Sequence, residues 1–206
     1  MSLRIETIFS LIVLILLSCK TEEATQNVVV MENQNDHWVE IELQKQLSKT
    51  DLTDSIEIYG LPIENLPQQI YQVENLRYLR IDCNSFSCMK SLSSNISKFS
   101  NLEILIITKS ALTTLPKEIG KLGNLKKLIV AGGGQLGSVP TELSNLDKLE
   151  ELDLWRNSLT ELAVDLNDLG NLKTVYLGEN NFSKKYIDGL IEQFPKIKIK
   201  MNYVKD

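Results

Sequence analysis

The sequence contains a single histidine, His37, among its 206 residues. A metal site with two histidine ligands is therefore excluded, and a Ser-His-Asp or Cys-His catalytic arrangement would have to use this one residue. His37 lies in the run Asn-Asp-His-Trp, where we interpret it as a solvated or capping side chain. The sequence predicts no enzymatic activity, no metal site and no cofactor.

Excess positive charge is also lacking. Lysine and arginine number 22 against 27 aspartate and glutamate residues, which gives a net charge of −5 and excludes a strongly basic nucleic-acid binder. Hydrophobic residues make up 43% and charged residues 24%, an ordinary composition for a packed soluble protein of one or two domains. Three cysteines, Cys19, Cys83 and Cys88, are too few for a disulfide framework.

The amino terminus has the layout of a signal peptide. Arg4 precedes a ten-residue apolar run at residues 8–17, and Ser18 and Cys19 follow it directly. As a helix this run would rise about 15 Å, half the thickness of a hydrocarbon core of roughly 30 Å. The run is thus too short to serve as a lasting transmembrane anchor, and we expect residues 1–18 to be removed.

The tetrapeptide Leu16-Leu17-Ser18-Cys19 resembles the lipobox of bacterial lipoproteins. The resemblance implies that Cys19 carries a lipid that anchors the chain to a membrane, with residues 19–26 as a flexible tether. The residue after Cys19 is Lys20 and not an aspartate, which resembles the lipoproteins that are sent on to an outer membrane. The run of residues 20–23, which includes two glutamates, resembles the acidic export tags of some surface lipoproteins. An ordinary secretory signal with an incidental cysteine is the alternative interpretation.

An apolar triplet recurs along most of the chain with the spacing LxxLxL. Consecutive triplets begin 23, 24 and 23 residues apart from Leu102 to Leu172, after a longer unit of 26 residues. The triplets are Thr53-Ile56-Ile58, Leu76-Leu79-Ile81, Leu102-Leu105-Ile107, Leu125-Leu128-Val130, Leu149-Leu152-Leu154, Leu172-Val175-Leu177 and Phe194-Ile197-Ile199.

The continuation of each unit, clearest in LTTLPKEIGKLGN at residues 112–124, resembles the leucine-rich repeat in its 23-residue Leu-Pro variety. A turn asparagine follows the triplet at Asn84, Asn157, Asn180 and Asn202. The resemblance covers roughly residues 53–202 and implies a protein-recognition scaffold.

The spacing itself predicts an α/β solenoid. The last two leucines of LxxLxL lie on one face of a short strand, and aliphatic residues three or four apart return the chain as a helical or 3₁₀ turn. Stacked units form one core, with a curved parallel sheet on the concave side and turns on the convex side. We expect an N-terminal cap at residues 27–52, as helix or strand, six repeats at 53–193 and a C-terminal capping strand at 194–206.

Residues that flank the leucines point outward on the concave side, so we predict rows of exposed side chains. The middle row runs from Glu57 to Lys198, with Ile106 and Ile129 near its centre. We predict that an apolar centre rimmed by charged and aromatic groups binds a protein or peptide partner. The alternative is that β-branched residues simply suit strands. The predicted partner-binding residues are Tyr78, Arg80, Ile104, Ile106, Lys127, Ile129, Glu151, Asp153, Trp155 and Tyr176.

Two further motifs have structural interpretations. Residues 132–137, GGGQLG, match the GxGxxG pattern of dinucleotide-binding loops, but Pro140 and the next triplet leave room for only a short turn. We therefore place the one extra residue of this 24-residue unit in a bulge within the glycine run. Cys83 and Cys88 are equally compatible with a disulfide that closes the longer loop and with two free thiols.

The sequence thus favours a membrane-anchored binding module that is not an enzyme. A structural scaffold of the cell envelope without a specific ligand is the second hypothesis. A carbohydrate-binding surface protein that uses Trp155 and Tyr176 is the third.

Overall fold

A computed structural model describes residues 54–202, apart from residues 62, 68–69, 72 and 84–87. The predicted signal peptide, Cys19, the tether, the N-terminal cap with His37, and the turn residue Asn84 lie outside the described residues. Within them the chain forms one unclosed sheet of seven parallel strands, in which each strand pairs with the next in sequence. The strands are β1 (Ser55–Tyr59), β2 (Tyr78–Asp82), β3 (Ile104–Thr108), β4 (Lys127–Ala131), β5 (Glu151–Asp153), β6 (Thr174–Tyr176) and β7 (Lys198–Lys200).

Short helical turns connect the strands on the opposite side of the core. Among the described residues, they include 3₁₀ helices at Ser94–Lys98, Lys117–Lys121, Thr141–Asn145 and Leu166–Asp168 and an α-helix, α1, at Lys184–Gln193. Pro116 and Pro140 precede two of the 3₁₀ helices, where their restricted φ suits the entry into the turn. This arrangement confirms the predicted α/β leucine-rich repeat solenoid.

The core consists of the leucine positions of the repeat. Leu79, Leu105, Leu128 and Leu152 occupy the same position in successive strands, and each is 0% exposed. Each 3₁₀ helix adds one buried aliphatic side chain from the other side, such as Ile119. Because every unit buries its apolar face against the next, the core is continuous along the stack.

Two asparagine side chains, buried at Asn157 and partly buried at Asn180, bind the backbone where the strands end. The Asn157 amide donates to the carbonyl oxygens of Val130 at 2.7 Å and Leu154 at 3.0 Å, so it links two consecutive repeats. Asn180 repeats the pattern one unit later, with a bond of 2.8 Å to the same Leu154 carbonyl. These bonds satisfy carbonyl groups that would otherwise be buried without a partner.

The glycine run departs from the dinucleotide-binding pattern as predicted. Up to Gly133, each residue of this unit lies beside the residue 23 positions earlier in the preceding unit. From Leu136 onward the offset is 24 positions, so the extra residue lies between Gly133 and Leu136. A Cβ atom at Gly133 would collide with the backbone of Ser110, whereas Gly134 has open space around it. The next helix, at Thr141–Asn145, is a single 3₁₀ turn and offers no α-helix amino terminus to a pyrophosphate.

The predicted register is confirmed from β1 to β6 and wrong by two residues at β7. Lys200, instead of Lys198, lies beside Tyr176, and Ile199, instead of Ile197, pairs with Val175. The cause is α1: Phe194 accepts the backbone N–H of Ile197 at 3.0 Å, as Leu169 accepts that of Leu172 one unit earlier. Phe194 therefore ends the returning segment and does not begin a new triplet.

Cys83 and Cys88 form a disulfide directly after β2, with Cα atoms 5.7 Å apart. Both residues are buried in the core, at 0% and 1% exposure. The structure thus selects the disulfide over the two free thiols. Within residues 54–202, as far as they are described, no helix combines the length and apolar character needed to cross a membrane.

Candidate functional site: the concave surface

The concave surface, formed by the outward-facing residues of β1–β6, has three isoleucines near its centre. Ile106 on β3 and Ile129 on β4 are direct neighbours across the two strands, and Ile104 lies two residues before Ile106 on the same face. All three are partly exposed, whereas Leu105 between Ile104 and Ile106 is fully buried. We refer to Ile104, Ile106 and Ile129 as the isoleucine patch.

A group of paired polar side chains borders the patch on the β1–β2 side. The Arg80 guanidinium lies 3.3 Å from the Asp82 carboxylate and 5.5 Å from the centre of the Tyr59 ring. Lys109 also reaches Asp82, at 3.5 Å. The Tyr59 hydroxyl donates to Glu57 at 2.5 Å, and this bond, together with burial, raises the pKa of Tyr59 to about 12. Tyr59 therefore stays neutral across the physiological range.

An ion pair borders the patch on the β5 side. Lys127 and Glu151 are register partners on β4 and β5, and their charged groups lie 2.9 Å apart. Both side chains are about one third exposed, so solvent screens the pair partially.

Asp153 differs from its predicted role as an exposed charged group of the rim. It is only 3% exposed, and its carboxylate accepts the backbone N–H of Trp155 at 2.8 Å. Burial raises the pKa of Asp153, although the hydrogen bond from Trp155 opposes the shift. The local bond turns the carboxylate back onto its own strand, so Asp153 positions the chain near Trp155 and is not available to a partner.

Trp155 and Tyr176 are partly exposed on neighbouring units. The Trp155 ring extends over Gly178, because a Cβ atom there would overlap the ring and the Met201 carbonyl oxygen. Trp155 is thus packed against the following repeat and does not stand freely above the concave surface.

The structure brings together the predicted residues from Tyr78 to Glu151 around the isoleucine patch. It also adds four residues that the prediction of the site left out: Glu57, Tyr59, Asp82 and Lys109. Tyr59 and Asp82 follow the same alternation as the predicted residues, so the signal was present in the sequence. Their pairing with Arg80 was not, since the register does not determine which rotamers long side chains adopt.

A second polar surface runs along the edge where the strands begin. A groove of about 500 Å³ there is lined by Asp54, Asn75, Arg77, Asn101, Glu103 and Asn124. Its charges pair with one another: Arg77 lies 2.7 Å from Glu103, which lies 2.6 Å from Lys126. These bonds join successive repeats, so we interpret this edge as a seam of the stack. Among the described residues, no group of three or more His, Cys, Asp or Glu side chains could hold a metal ion.

Residues 27–205 match the family described as "Leucine-rich repeat region", and the chain belongs to that family. The match also includes the segment predicted as the N-terminal cap. No curated protein matches the chain significantly.

Solved structures similar to this chain include several bacterial proteins. The leucine-rich repeat domain of the type III effector XopL is 21% identical to this chain, with a TM-score of 0.64. The match covers 86% of this chain and 60% of the XopL chain. An internalin of Listeria monocytogenes, InlF, is 14% identical over 82% of this chain and 46% of its own, with a TM-score of 0.56. A leucine-rich repeat protein of Leptospira interrogans is 23% identical over 79% and 50%, with a TM-score of 0.49.

The chain spans between 46% and 60% of the length of these three structures. At these identities the likeness concerns the fold alone. The family membership adds that such repeat domains are typically protein-interaction scaffolds without catalytic activity.

Proposed function

We propose that this chain is an exported, lipid-anchored protein that binds a protein or peptide partner through its concave surface, with the isoleucine patch as the centre of the site. The observation that carries the proposal is the patch itself. Three neighbouring β-branched side chains are partly exposed on a wall whose other outward groups, apart from the small Ala131, are polar or aromatic.

The surroundings of the patch support recognition of another protein. Binding energy in protein interfaces concentrates in a central apolar cluster that surrounding groups shield from water. Arg80 with Asp82 and Lys127 with Glu151 stand at the two sides of the isoleucine patch and can provide that shield.

The anchor part of the proposal rests on the sequence. The lipobox-like residues end at Cys19, and a lipid there would attach the repeat domain to the bacterial envelope, at its outer membrane or at the cell surface. Two or three acyl chains at about 0.8 kcal/mol per buried CH₂ hold a protein on a membrane stably, whereas one chain does not.

Replacement of Ile106 and Ile129 by aspartate tests the binding site. Two carboxylates at the centre of the interface would be desolvated without partners, so we expect the affinity to fall by about tenfold or more. Proximity labelling on intact cells identifies the partner, and the affinity of the purified pair measures the effect. Retained affinity would contradict the proposed site.

Ile191→Asp provides the matched control, because Ile191 is 50% exposed on α1, away from the sheet. It makes the same chemical change on another surface and should keep the partner. Unchanged circular dichroism in both variants separates loss of binding from loss of fold.

Mass spectrometry of the mature amino terminus tests the anchor. We expect residues 1–18 to be absent and Cys19 to carry acyl chains, and we expect Cys19→Ala to release the protein from the membrane fraction. An unmodified terminus downstream of Cys19 would contradict lipid anchoring and leave the binding site untouched.

Two alternative functions have separate tests. The partly exposed aromatic side chains of Trp155 and Tyr176 suit a carbohydrate, and specific binding on a glycan array that Tyr176→Ala abolishes would favour it. A deletion strain with altered envelope integrity, fully restored by the Ile106→Asp, Ile129→Asp variant, would favour a structural scaffold without a ligand.

A further inference from the structure

We infer that the segment that docks on the isoleucine patch is electrically neutral and apolar, and that it inserts one or two aliphatic or aromatic side chains over Ile106 and Ile129. This inference rests on the proposed function, because it names the chemistry of the partner for the same surface.

The dimensions of the patch limit what it can hold. Neighbouring strands lie about 4.8 Å apart, so Ile106 and Ile129 form one step across the sheet. Ile104 lies two residues along β3, a distance of about 7 Å. An area of this size accommodates one or two bulky side chains of a partner.

The charge of Asp82 on the β1–β2 side is compensated within the wall. Asp82 lies within ion-pair distance of both Arg80 and Lys109. Glu57 accepts a hydrogen bond from the neutral Tyr59 hydroxyl, and Arg80 is its register partner on the neighbouring strand.

The β4–β5 side shows the same compensation. Lys127 and Glu151 neutralise each other, and the Asp153 carboxylate is turned into the strand. Around the patch, three cations therefore stand against three carboxylates, and Asp153 is withdrawn from the surface.

This balance decides the chemistry of the partner. A charged side chain placed over the patch would lose hydration, and at Asp82, Lys127 or Glu151 it would have to compete with an existing ion pair to gain a counterion. A neutral apolar side chain displaces water from the isoleucines and leaves both sets of ion pairs intact. The wall thus favours apolar contact and offers little to a charged peptide.

Selection from a displayed library of random peptides on the full-length purified chain tests this inference. We expect neutral peptides with Leu, Ile, Phe or Trp to be enriched and to lose affinity when Ile106 and Ile129 become aspartate. Their dissociation constants should change by less than about twofold when salt rises to a level at which surface charges are screened.

A pair of variants provides the control. Lys127→Met leaves Glu151 without its partner, so we expect this variant to select basic peptides whose affinity falls with salt. The double variant Lys127→Met, Glu151→Gln removes both charges and should again select neutral apolar peptides.

Enrichment of charged peptides by the unaltered chain, with binding that depends on Ile106 and Ile129 and weakens with salt, overturns the inference and leaves the proposed site in place. Failure to obtain any peptide whose binding depends on these isoleucines contradicts the proposed function and the inference together.

Discussion

At the scale of single residues, Asp153 shows how a local hydrogen bond changes the meaning of a position. Alternation along β5 correctly places it in the outward row between Ile129 and Tyr176. The bond from the Trp155 backbone then withdraws its carboxylate from solvent. The sequence alone predicts which side chains of each strand face outward, because successive side chains of a strand alternate between its two faces. It could not give this burial, because the choice between solvent and the chain's own backbone depends on side-chain conformation.

Asp153 makes a testable contribution to the pH dependence of stability. Its pKa is raised in the folded state, mainly by burial, with Glu151 raising it further and Lys127 lowering it. The protonated folded form is therefore favoured at pH values below the ordinary pKa of aspartate, and this contribution is lost as the pH rises through the raised pKa. Asp153→Asn keeps an acceptor for the Trp155 N–H without the charge. We expect it to be more stable than the unaltered chain at neutral pH, with a difference that shrinks as the pH falls.

Urea unfolding of both proteins from neutral to mildly acidic pH measures this difference. Glu103 and Glu150 have lowered pKa values next to lysine and arginine side chains, so they lose stabilising charge in acid, but they do so equally in both proteins. Asp153→Ala, which also removes the acceptor, should be less stable than Asp153→Asn at every pH. A difference between the unaltered chain and Asp153→Asn that does not vary with pH would show that burial of the charge costs nothing.

At the scale of elements, the regular strands and the extra residue of the glycine run were predictable, whereas the longer connection into β7 was not. The triplet spacing predicted β1 to β6 with their register, since the leucines of each unit must lie beside those of the neighbouring unit. At the end of the stack, Phe194, Ile197 and Ile199 imitate the triplet, but α1 is longer than the 3₁₀ turns and shifts the register by two residues. A shift of two keeps the same side chains on the same face, so the apolar pattern alone could not reveal it.

The Cys83–Cys88 disulfide closes the connection after β2, where the unit is longer than the others. A cross-link over so few residues restricts the unfolded chain modestly, and we expect the variant Cys83→Ala, Cys88→Ala to lose about 2 kcal/mol of unfolding free energy. Chemical denaturation measures the loss. The unaltered chain in a reducing agent should show a similar decrease, and equal stability of all three samples would mean that packing alone holds this connection.

At the scale of the whole molecule, the stack is close to one-dimensional, because each strand pairs with its immediate neighbours in sequence. Such a molecule recognises partners through a continuous wall, and its specificity lies in the residues that vary from unit to unit. The isoleucine patch occupies only the third and fourth strands. Binding should therefore tolerate changes at β6 and β7 and respond strongly to changes at β3 and β4.

The charged seam where the strands begin also bears on how the stack assembles. Its residues alternate in sign from unit to unit, in the order Asp54, Arg77, Glu103, Lys126, Glu150 and Lys173. Four of the five neighbouring pairs lie within ion-pair distance. If one unit were looped out and its two neighbours stacked directly, Arg77 would face Lys126, or Glu103 would face Glu150. The alternation therefore penalises every arrangement that omits a single unit, and it helps chemically similar segments to assemble in their proper sequence.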